Sequence, residues 1–227
     1  MKNTILKLVA LCMLIPTLLS AGDLSKSSIV KFMEVSGASA QFEAIPDITY
    51  KMLKAQGGMP QDKMSKVKDA LEKIMAPHYF TDAISKAFLE SDMTQSELNL
   101  GIKFYESDLG KKVAKGDVSV STLEGMQAVM TQQPTNDVRK AKILDKLLNA
   151  IYDVSKFDTQ TLAVSKATYT YAYKDLSNDE LEEYLKAVTT NKALKKAIDI
   201  GTNAINVVSA KQQALFQKEL MDIIYNK

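Results

Sequence analysis

The 227-residue chain has no Trp, one His, one Cys and only five Pro. A single Cys cannot close an intramolecular disulfide, and a single His cannot supply the clustered ligands of a common zinc site. Basic and acidic side chains nearly cancel, 29 against 27, so no basic field exists to attract nucleic acid. The nine Gly form no cofactor fingerprint: Gly110-Lys111-Lys112 lacks both the spaced upstream Gly and the Ser or Thr that a phosphate loop needs after its Lys. A G-x-S-x-G nucleophile turn and an acidic Ca²⁺ loop are also missing. No catalytic residue, cofactor or metal site is therefore expected. What remains is an ordinary globular composition, 46% apolar and 25% charged, which excludes disordered, collagenous and multi-span membrane classes.

The amino terminus carries the clearest signal. Lys2 and Lys7 precede the apolar run Leu8 to Ile15, Pro16 breaks it, and Ser20-Ala21-Gly22 supplies small residues. This pattern predicts a secretory signal peptide over residues 1–21, cleaved between Ala21 and Gly22, and hence a periplasmic protein. The apolar stretch Ile5 to Leu19 contains Lys7 and falls short of the roughly 20 residues needed to cross a bilayer, so the membrane is met only through this segment. Cys12 follows Leu11 in mid-run, the wrong context for lipid attachment. Cleavage removes two Lys, no acid and the only Cys, leaving 27 basic and 27 acidic residues. The exported chain is thus expected to be neutral and free of thiol chemistry.

The rest reads as helices. Val67, Ala70, Leu71, Ile74 and Met75 fall at i, i+3, i+4, i+7 and i+8, one face of a helix bounded by Gly57-Gly58-Met59-Pro60 and Pro77. Phe80, Ile84, Ala87 and Phe88 make the next stripe, and Leu98, Ile102 and Tyr105 another. Upstream, a short helix is predicted up to Gly37, and a second carries Phe42, Ile45, Thr49, Met52 and Leu53, with Pro46 as its kink or true start. After Gln132-Gln133-Pro134, a cap within Thr135 to Asp137 opens a helix with face Val138, Ala141, Leu144, Leu148, Ile151 and Tyr152. The last helix is predicted from about Asn191 nearly to the end, about 50 Å at the helical rise, with Leu194, Ile198, Ile205, Val208, Leu215, Leu220 and Ile223 buried and Gly201 as a point of interruption. Thr168 to Tyr173 alternates like a strand, yet one six-residue strand without a partner makes no sheet, so it too is read as helix. The predicted class is all-α, a multi-helix bundle.

Two segments 83 residues apart share a start: Asp92-Met93-Thr94-Gln95-Ser96-Glu97-Leu98 and Asp175-Leu176-Ser177-Asn178-Asp179-Glu180-Leu181. In each, a hydroxyl residue precedes Glu by three positions, the capping box in which two side chains reciprocally satisfy free backbone amides. Lys103 and Lys112 recur as Lys186 and Lys195, and each helix ends in a small polar turn leading to another helix. The expectation is a degenerate duplication: a first helical unit over 22–133 and a second over 134–227.

The stretch Thr94 to Lys112, with its Thr-x-x-Glu-Leu start and Phe104-Tyr105-Glu106-Ser107-Asp108-Leu109-Gly110-Lys111-Lys112, resembles the signature of the bacterial domain of unknown function 2059 family. Asp108 stands where that family usually has Pro, and the carboxyl copy has lost the Phe, Tyr and Gly. The resemblance implies an exported, small, helical protein and no particular activity. Physically, Thr94 and Glu97 cap a helix, Leu98, Phe104 and Tyr105 pack it, Ser107 turns the chain, Gly110 permits close approach, and Lys111 meets water. The competing reading makes Tyr105, Glu106, Ser107 and Lys111 the polar rim of a ligand site.

Four functions are weighed on these grounds, the last being a passive structural role in which the long terminal helices form a homo-oligomer seam. The first is a non-enzymatic envelope protein that binds another envelope protein; the second is a carrier of an apolar ligand or lipid in a groove between the units, lined by Met and Tyr. The third is an enzyme assembled around His78 or Glu106 from residues distant in sequence. Met126 and Met130, four apart, raise Cu(I) as a thioether ligand, though scattered Met is commoner as core filler.

Overall fold

Caps and breakers set the element boundaries. In the computed structural model, which describes residues 24–225, α1 spans Lys26–Val35 and starts where the Ser25 side chain accepts from the Ser28 amide. The expected signal peptide and the Ala21 to Gly22 cleavage point lie outside the described residues. Gly37 takes φ 79° between α1 and α2 (Ala38–Gln56), and a Cβ there would lie 2.5 Å from Val118. Of the two expectations for Pro46, kink or true start, the second does not hold: α2 begins eight residues earlier and continues through the proline. One turn thereby loses a backbone donor, and Thr49 Oγ1 donates to the Ile45 carbonyl at 2.8 Å beside it. After α3 (Gln61–Ile74) and α4 (Pro77–Glu90) come α5 (Gln95–Glu106), α6 (Asp108–Val120) and α7 (Leu123–Thr131). Then follow α8 (Val138–Ile151), a 3₁₀ turn at Val154–Lys156, α9 (Thr159–Ala172), α10 (Asn178–Thr190) and α11 (Lys192–Tyr225). Among the described residues there is no strand, and no helix is long and apolar enough to cross a membrane.

Two faces differ from the reading of the pattern. On α8, Val138 is 67% exposed while Ile143 and Leu147 turn inward beside Leu144 and Leu148. On α11, Leu215 is 46% exposed and Phe216 and Gln212 are buried instead. The helix is unbroken at Gly201. Thr168 to Tyr173 is helical up to Ala172, and the alternation resolves by period: Tyr169 and Tyr173, four apart, share a face, and Tyr171 projects elsewhere beneath the Lys174 ammonium.

The 34 residues of α11 form the spine. It packs on α3, α4 and α5 of the amino-terminal half as well as on α10 and α8 of its own half. α9 lies across α6, α7 and α8, and α6 joins α5 to the underside of α2. One hydrophobic core runs across the break at Pro134, from Ile29, Leu71 and Phe88 to Leu181, Leu194 and Phe216. Each of these large side chains, when fully buried, contributes about 1.5–3 kcal/mol.

Both capping boxes form, Thr94 with Glu97 and Ser177 with Glu180. The buried faces that follow keep the offset of 83: Leu98, Gly101 and Tyr105 on α5, Leu181, Tyr184 and Val188 on α10. Each following helix starts on the residue that ends the one before. Ser107 accepts from the Gly110 amide, and Asn191 Oδ1 accepts from the Leu194 amide. The two corners also hold each other. Lys112 of α6 bonds to Glu180, and Lys196 of α11 reaches Glu97 at 3.3 Å.

Candidate functional cavity

The signature residues sort by position. Thr94, Glu97 and Ser107 are consumed in caps, Leu98 is fully buried, and Lys111 is exposed. A Cβ on Gly110 would overlap the Phe104 carbonyl oxygen and lie 2.5 Å from Tyr105 Cα, so α6 can leave the corner only from a glycine. Phe104 stacks on Tyr184 at 5.7 Å and meets Tyr105 edge-on at 5.2 Å. Of the rim proposed from sequence, only Tyr105 reaches a cavity. Glu106 pairs with Lys31 at 3.2 Å on the surface.

That cavity, about 320 Å³, lies where α1, α2, α4, α5, α6, α8, α9, α10 and α11 meet. Tyr105, Tyr152, Tyr169, Tyr173 and Tyr184 line it with Asp117. The rings form a continuous contact series: Tyr152 to Tyr169 at 6.4 Å, Tyr169 to Tyr173 at 5.4 Å, Tyr173 to Tyr184 at 5.8 Å, each edge-to-face. The series continues through Phe104 and Tyr105 to Phe32, joining the carboxyl-terminal to the amino-terminal half. Edge-to-face pairs of this kind add about 0.5–1.5 kcal/mol each beyond burial.

Asp117 is the residue that the sequence reading missed. It sits on the apolar face of α6 with Val113, Ala114 and Gly116, and the Tyr173 hydroxyl donates to its Oδ1 at 2.7 Å. Close approach of the two chains makes that bond possible. A Cβ on Gly116 would overlap the Ala172 carbonyl oxygen and lie 3.3 Å from the Tyr173 ring. Burial pushes the Asp117 carboxyl up to about 7, against the Tyr173 hydrogen bond that pulls it down. Burial, and then the facing Asp117 charge, hold Tyr173 well above the ordinary phenol range. Burial likewise raises Tyr105, Tyr152, Tyr169 and Tyr184. No Lys, Arg or His lines the cavity among the described residues.

On the opposite wall α11 presents Ala197, Ile198, Gly201, Thr202 and Ile205. A Cβ on Gly201 would meet nothing within 4 Å. Mid-helix Gly costs about 1 kcal/mol relative to Ala, and here no contact demands it. Its effect is space.

The other candidates lie apart. His78 is exposed in the first turn of α4 beside Tyr79, at 4.1 Å between ring centroids, and does not line the cavity. Met126 and Met130 share α7, with Met130 79% exposed, while Met33, Met64, Met75 and Met93 are core. Among the described residues no group of three His, Cys, Asp or Glu side chains could hold a metal ion. Two larger depressions occur among the described residues, one between α8 and α9, about 490 Å³ and more enclosed than the central one, with Asp145 on it paired to Lys166, and one between α4 and α11, about 660 Å³. Comparison with family models, with curated proteins and with solved structures finds no match for this chain.

Proposed function

We propose that the chain, exported and relieved of residues 1–21, is a non-catalytic binding protein of the periplasm that holds a small molecule in the central cavity. The observation that carries this reading is a helix position, Gly201, kept empty opposite a polar-tipped aromatic wall. Packing to native density leaves few such voids, and small-molecule sites are concave, mostly apolar and marked by a few convergent polar groups. At about 320 Å³ the cavity is near the lower end of the roughly 300–1,000 Å³ usual for such sites, which favours a compact ligand over a long acyl chain. The exposed, unsupported placement of His78 and the pairing of Glu106 with Lys31 argue against an enzyme built on either.

The proposal includes the family kinship, on residues 94–112, and the duplication. Two capping boxes and two single-residue corners support the latter, while the cross-corner ion pairs do not keep its register: the counterpart of Lys112 is Lys195, which pairs with Asp199, and it is Lys196 that meets Glu97. The cavity then lies where the two copies meet.

The test is native mass spectrometry of the protein purified from its own envelope, beside Gly201→Leu. A non-covalent small-molecule adduct on the parent and none on the folded variant is expected. If both proteins carry the same species, or neither carries one and no compound in a metabolite panel shifts their melting differently, the reading fails.

A further inference from the structure

The geometry points to an organic cation, an ammonium ion carrying alkyl groups, as the occupant of this cavity, with Asp117 as its counter-charge and the five tyrosine rings as its walls. This inference rests on the binding reading above and specifies its ligand class.

The argument is by charge and by surface. Asp117 is a half-buried carboxylate between helices with one protein hydrogen bond, from Tyr173, and no cationic side chain beside it in the cavity. An anion placed there would face like charge. A neutral apolar ligand would exclude solvent and drive Asp117 to its protonated form, leaving its charge without a use. A hard metal ion needs six or more oxygens in close array, whereas the cavity has a single carboxylate. A cation with an apolar skin satisfies both parts of the wall. Its charge meets Asp117, and its methyl or methylene groups meet Tyr105, Tyr152, Tyr169, Tyr173 and Tyr184, whose rings attract cations through their quadrupoles.

The tyrosines also keep the charge where it is needed. Asp117 interacts electrostatically with all five hydroxyls, and each of those is pushed above its ordinary range, so none ionises near neutrality to compete for the ligand. They are the titratable groups that face Asp117 from α5, α9, α10 and the chain after α8. With its own carboxyl at about 7, Asp117 is divided between its neutral and charged forms at neutral pH, and a bound cation draws it toward the charged form. Binding therefore releases protons and strengthens as pH rises through 7.

Calorimetry with two isosteric probes tests the charge directly: choline, and 3,3-dimethylbutan-1-ol, in which a carbon replaces the nitrogen. The protein is made from the full-length sequence with its own amino terminus. Choline is expected to bind at least about tenfold more tightly than the alcohol at pH 8, with that preference shrinking at pH 5.5 and lost in Asp117→Asn. Gly201→Leu, which improves the helix while filling the space, is expected to fold and to bind neither. Phosphatidylcholine vesicles form a second arm. Co-sedimentation that needs Asp117, without binding of free choline, assigns the ammonium group to a lipid headgroup. Equal binding of choline and alcohol, both blocked by Gly201→Leu, overturns the cation and leaves the cavity reading intact. No binding of choline in solution or of vesicles overturns the cation whether or not a neutral adduct is found on the envelope-purified protein. A choline preference that survives Asp117→Asn overturns the role of that residue and with it the proposal.

Discussion

The packing around Ile29, Leu71 and Phe88 and the junction of α6, α9 and α11 are built from the same kind of helices, yet those three side chains are fully enclosed and the junction is hollow. Ile29, Leu71 and Phe88 are 0% exposed, Phe32 meets Phe88 at 5.6 Å, and Phe42 stacks on Phe80 at 5.2 Å. At the junction the side chains are equally large, but they are tyrosines with a carboxylate among them and a glycine opposite. The difference is in what the atoms are asked to do. Phenyl and alkyl groups close up because nothing on them needs water, whereas hydroxyls and a carboxylate need partners and hold the helices apart if no protein partner is supplied.

The comparison can be broken most sharply from the enclosed side. Phe88→Ala should cost about 3–5 kcal/mol in denaturant unfolding, since its neighbours cannot collapse into the space. Gly110→Ala follows: its Cβ has nowhere to go between Phe104 and Tyr105, and a loss of about 3 kcal/mol with altered tyrosine fluorescence at the cavity is expected. A tolerated alanine there would mean that the corner is not rigid.

Asp117→Asn acts in the opposite sense. The folded carboxyl is pushed up to about 7 from the ordinary 3.8, so folding favours the protonated form. Stability from this group is fully present below the unfolded value and is lost as pH rises toward 7, where the folded protein must carry the charge. The parent's melting temperature should therefore fall relative to the Asn variant between pH 4 and pH 7. At pH 8 without ligand the variant should be the more stable, and a parent that stays the more stable there would show the carboxylate to be well paired.

The smallest effects compare the two corners. Thr94→Ala and Ser177→Ala should each cost about 1 kcal/mol and by similar amounts, because each removes one capping hydroxyl from an otherwise intact box. Unequal losses in thermal melts would separate the corners energetically despite their shared geometry.

Much of the fold was legible because the signals are local. Pro60, Pro77, Thr94, Asp137 and Ser177 each act within one turn, and the helices start beside them. Faces on the long helix were less so. Leu215 lies within about 20° of Val208 in helical phase and in phase with the fully buried Ala197, yet it is 46% exposed where Phe216 is buried, so the buried face changes with the neighbours that α11 meets along its length. Asp117 was legible in principle, as a charge on the stripe of Val113, Ala114 and Val120. Nothing within α6 says that Tyr173 lies opposite, 56 residues later. Sites made where distant helices cross leave only such misfits in the sequence.

The spine has a consequence for how the chain reaches this state. Lys196 meets Glu97 across 99 positions, and Lys63 donates to the Ile224 carbonyl across 161. Until residue 192 and beyond are available, the faces of α3, α4 and α5 that α11 covers have no partner. Contacts so far apart in sequence repay their loop-closure entropy only after the loop is closed. Docking of the 34 residues of α11 thus closes the longest loops among the described residues and brings in one wall of the cavity.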